Sequence, residues 1–308
     1  MQINIADIWT DEVKRMHAEY VNNVISRGFP PRNPIMYEFL FSYARRLALA
    51  CPHELRFIIE DVERTKTAWA ESVRKEFDED CARLFDYGRF STKGAAHWNA
   101  YSLCQKSSYR LCPYCQQGLA ITIFRDKHTK SLRPTLDHFY PKKKYPFLAL
   151  SLYNLIPSCH SCNSSLKGDT DFYTEAHLHP YENDEVIRYD FDVRSYLLHR
   201  ESGHGGVCPE VAVCEISATH PLSDQSQRSI ETFVVKERLA LSQWEINRFI
   251  ETILCYSDER LNEINANFFS DFSLTLSKES ALGFARANYK NEWLGAIKRD
   301  LYDLAWNY

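Results

Sequence analysis

No stretch of the chain reaches the run of about 18 apolar residues that a membrane-crossing helix needs, so no span is expected. Residues 1–50 lack the basic start, apolar run and small-residue cleavage site of a secretory signal. A cytoplasmic protein in a reducing compartment is the expectation that follows. Internal repeats and low-complexity tracts are also missing. Neither sign of charge dominates: the formal net charge is −4, which by itself argues neither for nor against a nucleic-acid partner.

The composition is otherwise that of an ordinary globular chain. Its 308 residues are 44% hydrophobic and 25% charged, enough for a sizeable core in one large domain or two or three smaller ones. The charge is unevenly spread. Residues 125–167 hold eight basic side chains against two acidic ones, a net of +6, so the remainder carries −10. A basic patch in an acidic shell suits a localised contact with an anion, although charge alone describes a solvated lysine loop better.

Periodicity divides the chain. Residues 1–110 read as helical, with a first helix over 11–27 ended by Gly28 and Pro30-Pro31. A buried helix is expected over 34–50. A long amphipathic stretch follows from Pro52, with Leu55, Ile58, Ile59, Val62, Trp69, Val73, Phe77, Cys81 and Leu84 at mostly three- and four-residue spacing. Short strands are expected at 119–124, 134–139 and 154–158, and a helix from 159 to 167 stopped by Gly168. Beyond an irregular polar segment with a candidate strand at 189–196, helical periodicity returns over 224–255 and 277–308. The expected fold is α+β and predominantly helical. Its regions are a helical one over 1–110, a compact core over 111–185 and a mainly helical one over 186–308.

Ten cysteines are present, and four of them fall in two CxxC pairs: Cys112 with Cys115, and Cys159 with Cys162. In a reducing compartment such pairs suggest metal before disulfide. Two thiolates from each tight turn complete a closed, structural zinc site. The pairs lie farther apart than the roughly 15 to 20 residues of a simple zinc ribbon. The inserted segment is the basic one, and it carries Asp137-His138. Cys208 and Cys214, near His204, match no common knuckle and read as core or surface thiols; Cys51, Cys81 and Cys255 read as core.

Phosphodiester hydrolysis needs an activated water, charge relief on the phosphate and a stabilised leaving oxygen, and the insert offers side chains of the types that could serve. An imidazole can take a proton from water near neutral pH, and one hard divalent ion, held by oxygen ligands, can relieve charge on the phosphate and leaving group. His138 supplies the first, while Asp137 and Asn163 offer oxygens. Asp137 and His138 would face opposite sides of a straight strand, so the chain must bend there or a partner must close the site. Taken singly, each of these residues reads as a turn, cap or satisfied polar group; it is the ordered set that points to chemistry.

The set Leu136-Asp137-His138-Phe139, Asn154-Leu155-Ile156-Pro157-Ser158-Cys159-His160-Ser161-Cys162-Asn163 and the trailing Lys167 resembles the HNH endonucleases of the His-Me finger, or ββα-metal, group. The likeness covers about residues 112–168. It implies a zinc-stapled ββα-metal core flanked by helical regions, with His138 as general base and Asp137 and Asn163 as ligands of Mg²⁺ or Mn²⁺. It implies that Asn154 holds the loop and orients the base, and that zinc sits on Cys112, Cys115, Cys159 and Cys162. The last family histidine is Asn163 here, an HNN variant.

Lys142, Lys143, Lys144 and Lys167 are candidate nucleic-acid contacts, with a solvated loop as the alternative for each. Tyr140, Tyr145 and Phe147 could stack on bases, though loop packing is the plainer reading. DNA is the family's usual substrate, with tRNA or other RNA open. The whole layout is similar to the PtuB nucleases of Septu and retron-linked anti-phage defence systems. That likeness implies a PtuA-like ABC-type ATPase partner, with a larger retron complex as the wider assembly left open. The competing class is a zinc-stapled module that binds nucleic acid or an ATPase without cutting.

Overall fold

The computed structural model describes residues 2–28, 30–31, 33–94, 96–202, 210–214, 216–269 and 274–306. It is mostly helical, and the described residues hold four short strands in two separate antiparallel pairs. Among the described residues no helix is long and apolar enough to cross a membrane. The chain forms two compact units. One gathers residues 4–113 and 118–183, and the other gathers 1–3, 114–117 and 184–308.

The larger unit opens with α1 (Asp11–Arg27), α2 (Pro34–Leu47), α3 (Pro52–Lys66) and α4 (Glu71–Leu84). Their starts follow from local chemistry. Thr10 and Asn33 accept from backbone N–H groups of the first turns of α1 and α2, and proline opens α2 and α3, where the missing N–H costs nothing. The long periodic stretch after Pro52 is thus two helices, α3 and α4. The short helices α5 (Tyr87–Ser91) and α6 (Ala100–Gln105) lead to the first cysteine pair.

An aromatic cluster binds these helices to the segment after the lysine triplet. Phe39 of α2 and Phe77 of α4 meet edge to face at 5.4 Å, and Phe39 meets Phe147 at 5.6 Å. Lys66 is buried beside them, its ammonium bonded to Glu63 (3.1 Å) and Asp78 (2.7 Å). Tyr140, Tyr145 and Phe147 are each 1% exposed, so they pack the loop and offer no stacking face.

The strands β1 (Thr135–His138) and β2 (Leu155–Ser158) pair antiparallel, with Asp137 opposite Ile156 and His138 opposite Leu155. A π-helical turn, Ser161–Lys167, follows. Gly168 ends it at φ +55°, a conformation that suits glycine, and its N–H donates five residues back to the Asn163 carbonyl (2.9 Å). Residues 119–124, expected as a strand, make only isolated bridges: Leu111 with Leu119 and Ile123 with Leu132.

The second unit holds β3 (Arg188–Asp190), α7 (Val193–Ser202), β4 (Ala212–Cys214), α8 (Ser223–Thr232), α9 (Val235–Leu241), α10 (Gln243–Cys255), α11 (Asp258–Phe268), α12 (Lys278–Leu282) and α13 (Gly295–Trp306). The expected strand at 189–196 is therefore β3 followed by a helix. Buried Arg299 joins Glu185 and Asp300, and Asp300 also takes Arg188 (3.0 Å) and the Tyr189 N–H (3.1 Å). Tyr114 stacks on Phe233 at 4.3 Å, and Gln116 bonds the Tyr289 carbonyl (3.0 Å) and the Ala296 N–H (2.7 Å). Cys81 is buried and Cys51 half-buried, but Cys255, at the end of α10, is exposed and so is not a core residue. Cys208 and His204 lie outside the described residues.

Candidate functional site

The two cysteine pairs meet. The sulfurs of Cys112, Cys115, Cys159 and Cys162 all lie within 4.8 Å of one another, three of the side chains buried and Cys159 half-buried. Four thiolates around one zinc sit about 3.8 Å apart, given Zn–S bonds near 2.3 Å, so the cluster fits the ion. The first turn is shaped for it. Gln116 takes the left-handed conformation (φ +47°), and the Gln117 N–H points at the Cys115 sulfur (3.5 Å). The Cys112 N–H closes the turn on the Gly118 carbonyl (2.9 Å). His160, between the second pair, is exposed, as a knuckle side chain would be.

Asp137 and His138 end β1 and are 1% and 7% exposed. His138 Nε2 lies 3.0 Å from the Ala149 carbonyl. A carbonyl only accepts, so Nε2 carries the proton and Nδ1 keeps its lone pair. Nδ1 has no hydrogen-bond partner among the described residues. Burial, and then the positive charge of Lys142, push the imidazole down to about 3, so it is neutral at physiological pH.

Asn154 is fully buried and uses its whole amide. Its Oδ1 accepts from the Tyr140 N–H (2.8 Å), and its Nδ2 donates to the carbonyls of Tyr140 and Leu148 (both 3.1 Å). The Phe139 N–H also donates to the Asn154 carbonyl (3.0 Å). Asn154 thereby fixes the chain two residues after His138 and one residue before the carbonyl that holds its ring. The helical region clamps the same loop from outside. His17 of α1 meets the Leu150 carbonyl (2.7 Å), and the Leu152 N–H donates to the Ala48 carbonyl (3.0 Å). Trp98 in turn donates to His17 Nδ1 (3.2 Å).

Lys167 stands apart from the surface role read for it. It is 3% exposed, and its ammonium lies 3.0 Å from Asp137 Oδ1 while donating to the His138 carbonyl (2.8 Å). Asn163 lies four residues earlier on the same π-helical turn and so shares a face with Lys167. Its side chain is half-buried, without a hydrogen-bond partner among the described residues. Lys142, Lys143 and Lys144 are exposed. Lys143 pairs with Asp169 (2.8 Å) and Lys144 with Asp171 (2.6 Å), whereas Lys142 lies over the Tyr87 ring at 4.9 Å.

Tyr87 was not legible as a site residue. Its ring stands edge-on to His138, with centroids 4.4 Å apart. Only the spatial return of α5 to β1 brings the two together, and the sequence around Tyr87-Gly88 reads as a break between helices. The oxygen donors Asp137 and Asn163 suit a hard divalent ion, with Lys167 as a cation already on one of them.

No family model matches the chain, and no solved structure matches it. Two sequence relatives were found. One is an uncharacterized protein of Caenorhabditis elegans, F36G3.2, 29% identical over 143 residues, covering 42% of this chain and 41% of that protein. Another is protein ea31 of Escherichia phage lambda, 33% identical over 83 residues, 26% of this chain and 24% of its own length. The chain thus spans less than half the length of either relative.

Proposed function

We propose that the protein is a metal-dependent HNH endonuclease that hydrolyses phosphodiester bonds in nucleic acid. The observation that carries this reading is the mounting of His138. Its ring is held through Nε2 on the Ala149 carbonyl, in a loop that Asn154 ties at both ends, with Nδ1 left to accept a proton. A phosphate beside it would raise the ring's proton affinity toward the working range, since opposite charge favours imidazolium. Asp137 and Asn163 would hold the divalent ion, which when bound supplies charge relief at the phosphate. The four cysteines would hold zinc and fix the turn that carries Asn163 and Lys167. Lys142 is the surface cation whose charge reaches the base in this reading. By the same resemblance, the nuclease is the effector of an anti-phage system and works with an ABC-type ATPase.

The test is cleavage of plasmid, single-stranded DNA and total RNA with Mg²⁺, with and without an ATPase encoded beside the gene. His138→Ala should lose cleavage by about 10²-fold or more while keeping fold and zinc content. Cleavage that survives in this variant, or in excess EDTA, rejects the mechanism. One observation favours a second reading, a non-cleaving zinc-stapled binding module: Asp137 already has a cation partner in Lys167.

A further inference from the structure

The Lys167–Asp137 pair is the least expected feature of the site. The two side chains are 2% and 1% exposed, so neither charge is answered by water. Among the described residues the ammonium meets Asp137 Oδ1 at 3.0 Å, the His138 carbonyl at 2.8 Å and the face of Phe172 at 5.0 Å. All three suit a cation, and two of them belong to the residues on which the nuclease reading rests. A buried carboxylate that already holds one full positive charge is a poor ligand for a second cation. The π-helical turn seats the ammonium, because it sets Lys167 four residues beyond Asn163 on the same face.

We propose that Lys167 is the resident cation of Asp137 and sets the divalent-ion threshold of the site. A metal ion reaches the carboxylate by taking the place of the ammonium, which keeps the His138 carbonyl and the Phe172 face. The proposal rests on the nuclease reading and adds to it a residue that governs metal affinity. A site built this way stays closed to divalent ions at low concentration and fills only when a further ligand, such as the phosphate of a bound nucleic acid, adds to the ion's binding.

The test is Mn²⁺ binding to the full-length, zinc-loaded protein, followed by electron paramagnetic resonance in the absence of substrate. Lys167→Gln keeps a side-chain donor and removes the charge. It should bind Mn²⁺ about tenfold more tightly or better, the scale set by removing one buried charge a few ångströms away. Lys75→Gln, an exposed lysine of α4 paired with Glu79 and outside the site, should change the affinity by less than about threefold. Asp137→Asn should remove the binding in every background. If Mn²⁺ binds through Asp137 but no more tightly in Lys167→Gln than in wild type, this proposal alone is overturned. If neither protein takes up Mn²⁺ through Asp137, the metal-dependent nuclease reading falls with it. Should Lys167→Gln fail to fold, the wild-type protein decides. The Lys167 Nζ resonance, read by ¹⁵N NMR, should shift at saturating Mg²⁺ as the ammonium leaves Asp137, and an unchanged resonance overturns the proposal.

Discussion

At the scale of single residues, Asn154 is the side chain whose loss should be felt most. All three of its bonds are buried, and they hold the loop around His138. Asn154→Asp keeps the shape but turns an oxygen toward two carbonyls that need a donor. It should cost about 2–4 kcal/mol in urea unfolding, the range for buried polar groups left unmatched. Histidines set a pH dependence at the same scale. Burial holds His17 near 4 and His138 near 3, against an ordinary 6.5. Between 6.5 and those values the unfolded chain binds more protons than the folded one. The stability these two contribute is therefore complete above pH 6.5 and lost as pH falls toward the folded-state values. Denaturation at pH 7.5, 6 and 5 should show a loss to which these two histidines contribute about 4 kcal/mol, with a shallower fall in His17→Gln.

At the scale of elements, the π-helical turn and the β1–β2 hairpin carry the site. Gly168 closes the turn at positive φ, so Gly168→Ala should destabilise by about 1–3 kcal/mol, measured by thermal or urea unfolding. The two strands were readable in advance: 134–139 and 154–158 are short runs that are β1 and β2 within a residue or two. The run at 119–124 looked as strand-like, yet pairs only through isolated bridges, because the strand signal says nothing about whether a partner is within reach. The helix expected from 159 to 167 is present, but as a π turn, and no propensity rule announces a shift from four-residue to five-residue bonding. Lys167 illustrates the consequence. In sequence it is a lysine after a polar run, and only the geometry of the turn makes it a buried partner of Asp137.

For the whole molecule, the four-cysteine cluster was the most legible feature, since the CxxC spacing alone brings each pair together. The meeting of the two pairs is a tertiary fact that the spacing only suggested. Metal analysis should find about one zinc per chain. Cys112→Ser should lower zinc content and melting temperature together, with unfolding of the surrounding segment, while Cys255→Ser, at an exposed thiol, should change neither. What could not be read ahead is how the helical region serves the site. The bonds from His17 and Ala48 to the loop join segments far apart in the chain, and nothing local to either marks them.

The double fastening of the loop between His138 and Asn154 has a kinetic consequence. Its ends are joined by the Phe139–Asn154 bond, its middle is held by the Asn154 amide, and its outer face is tied to α1 and to Ala48. The ordering entropy of this segment is therefore spent when the chain folds and not when a ligand arrives. In the proposed nuclease, association of nucleic acid at His138 should follow a single concentration-dependent phase in stopped-flow fluorescence, with no slow rearrangement of this loop after encounter. A site assembled in advance in this way gains selectivity from what it excludes, since it has no second shape to offer a poorly fitting ligand.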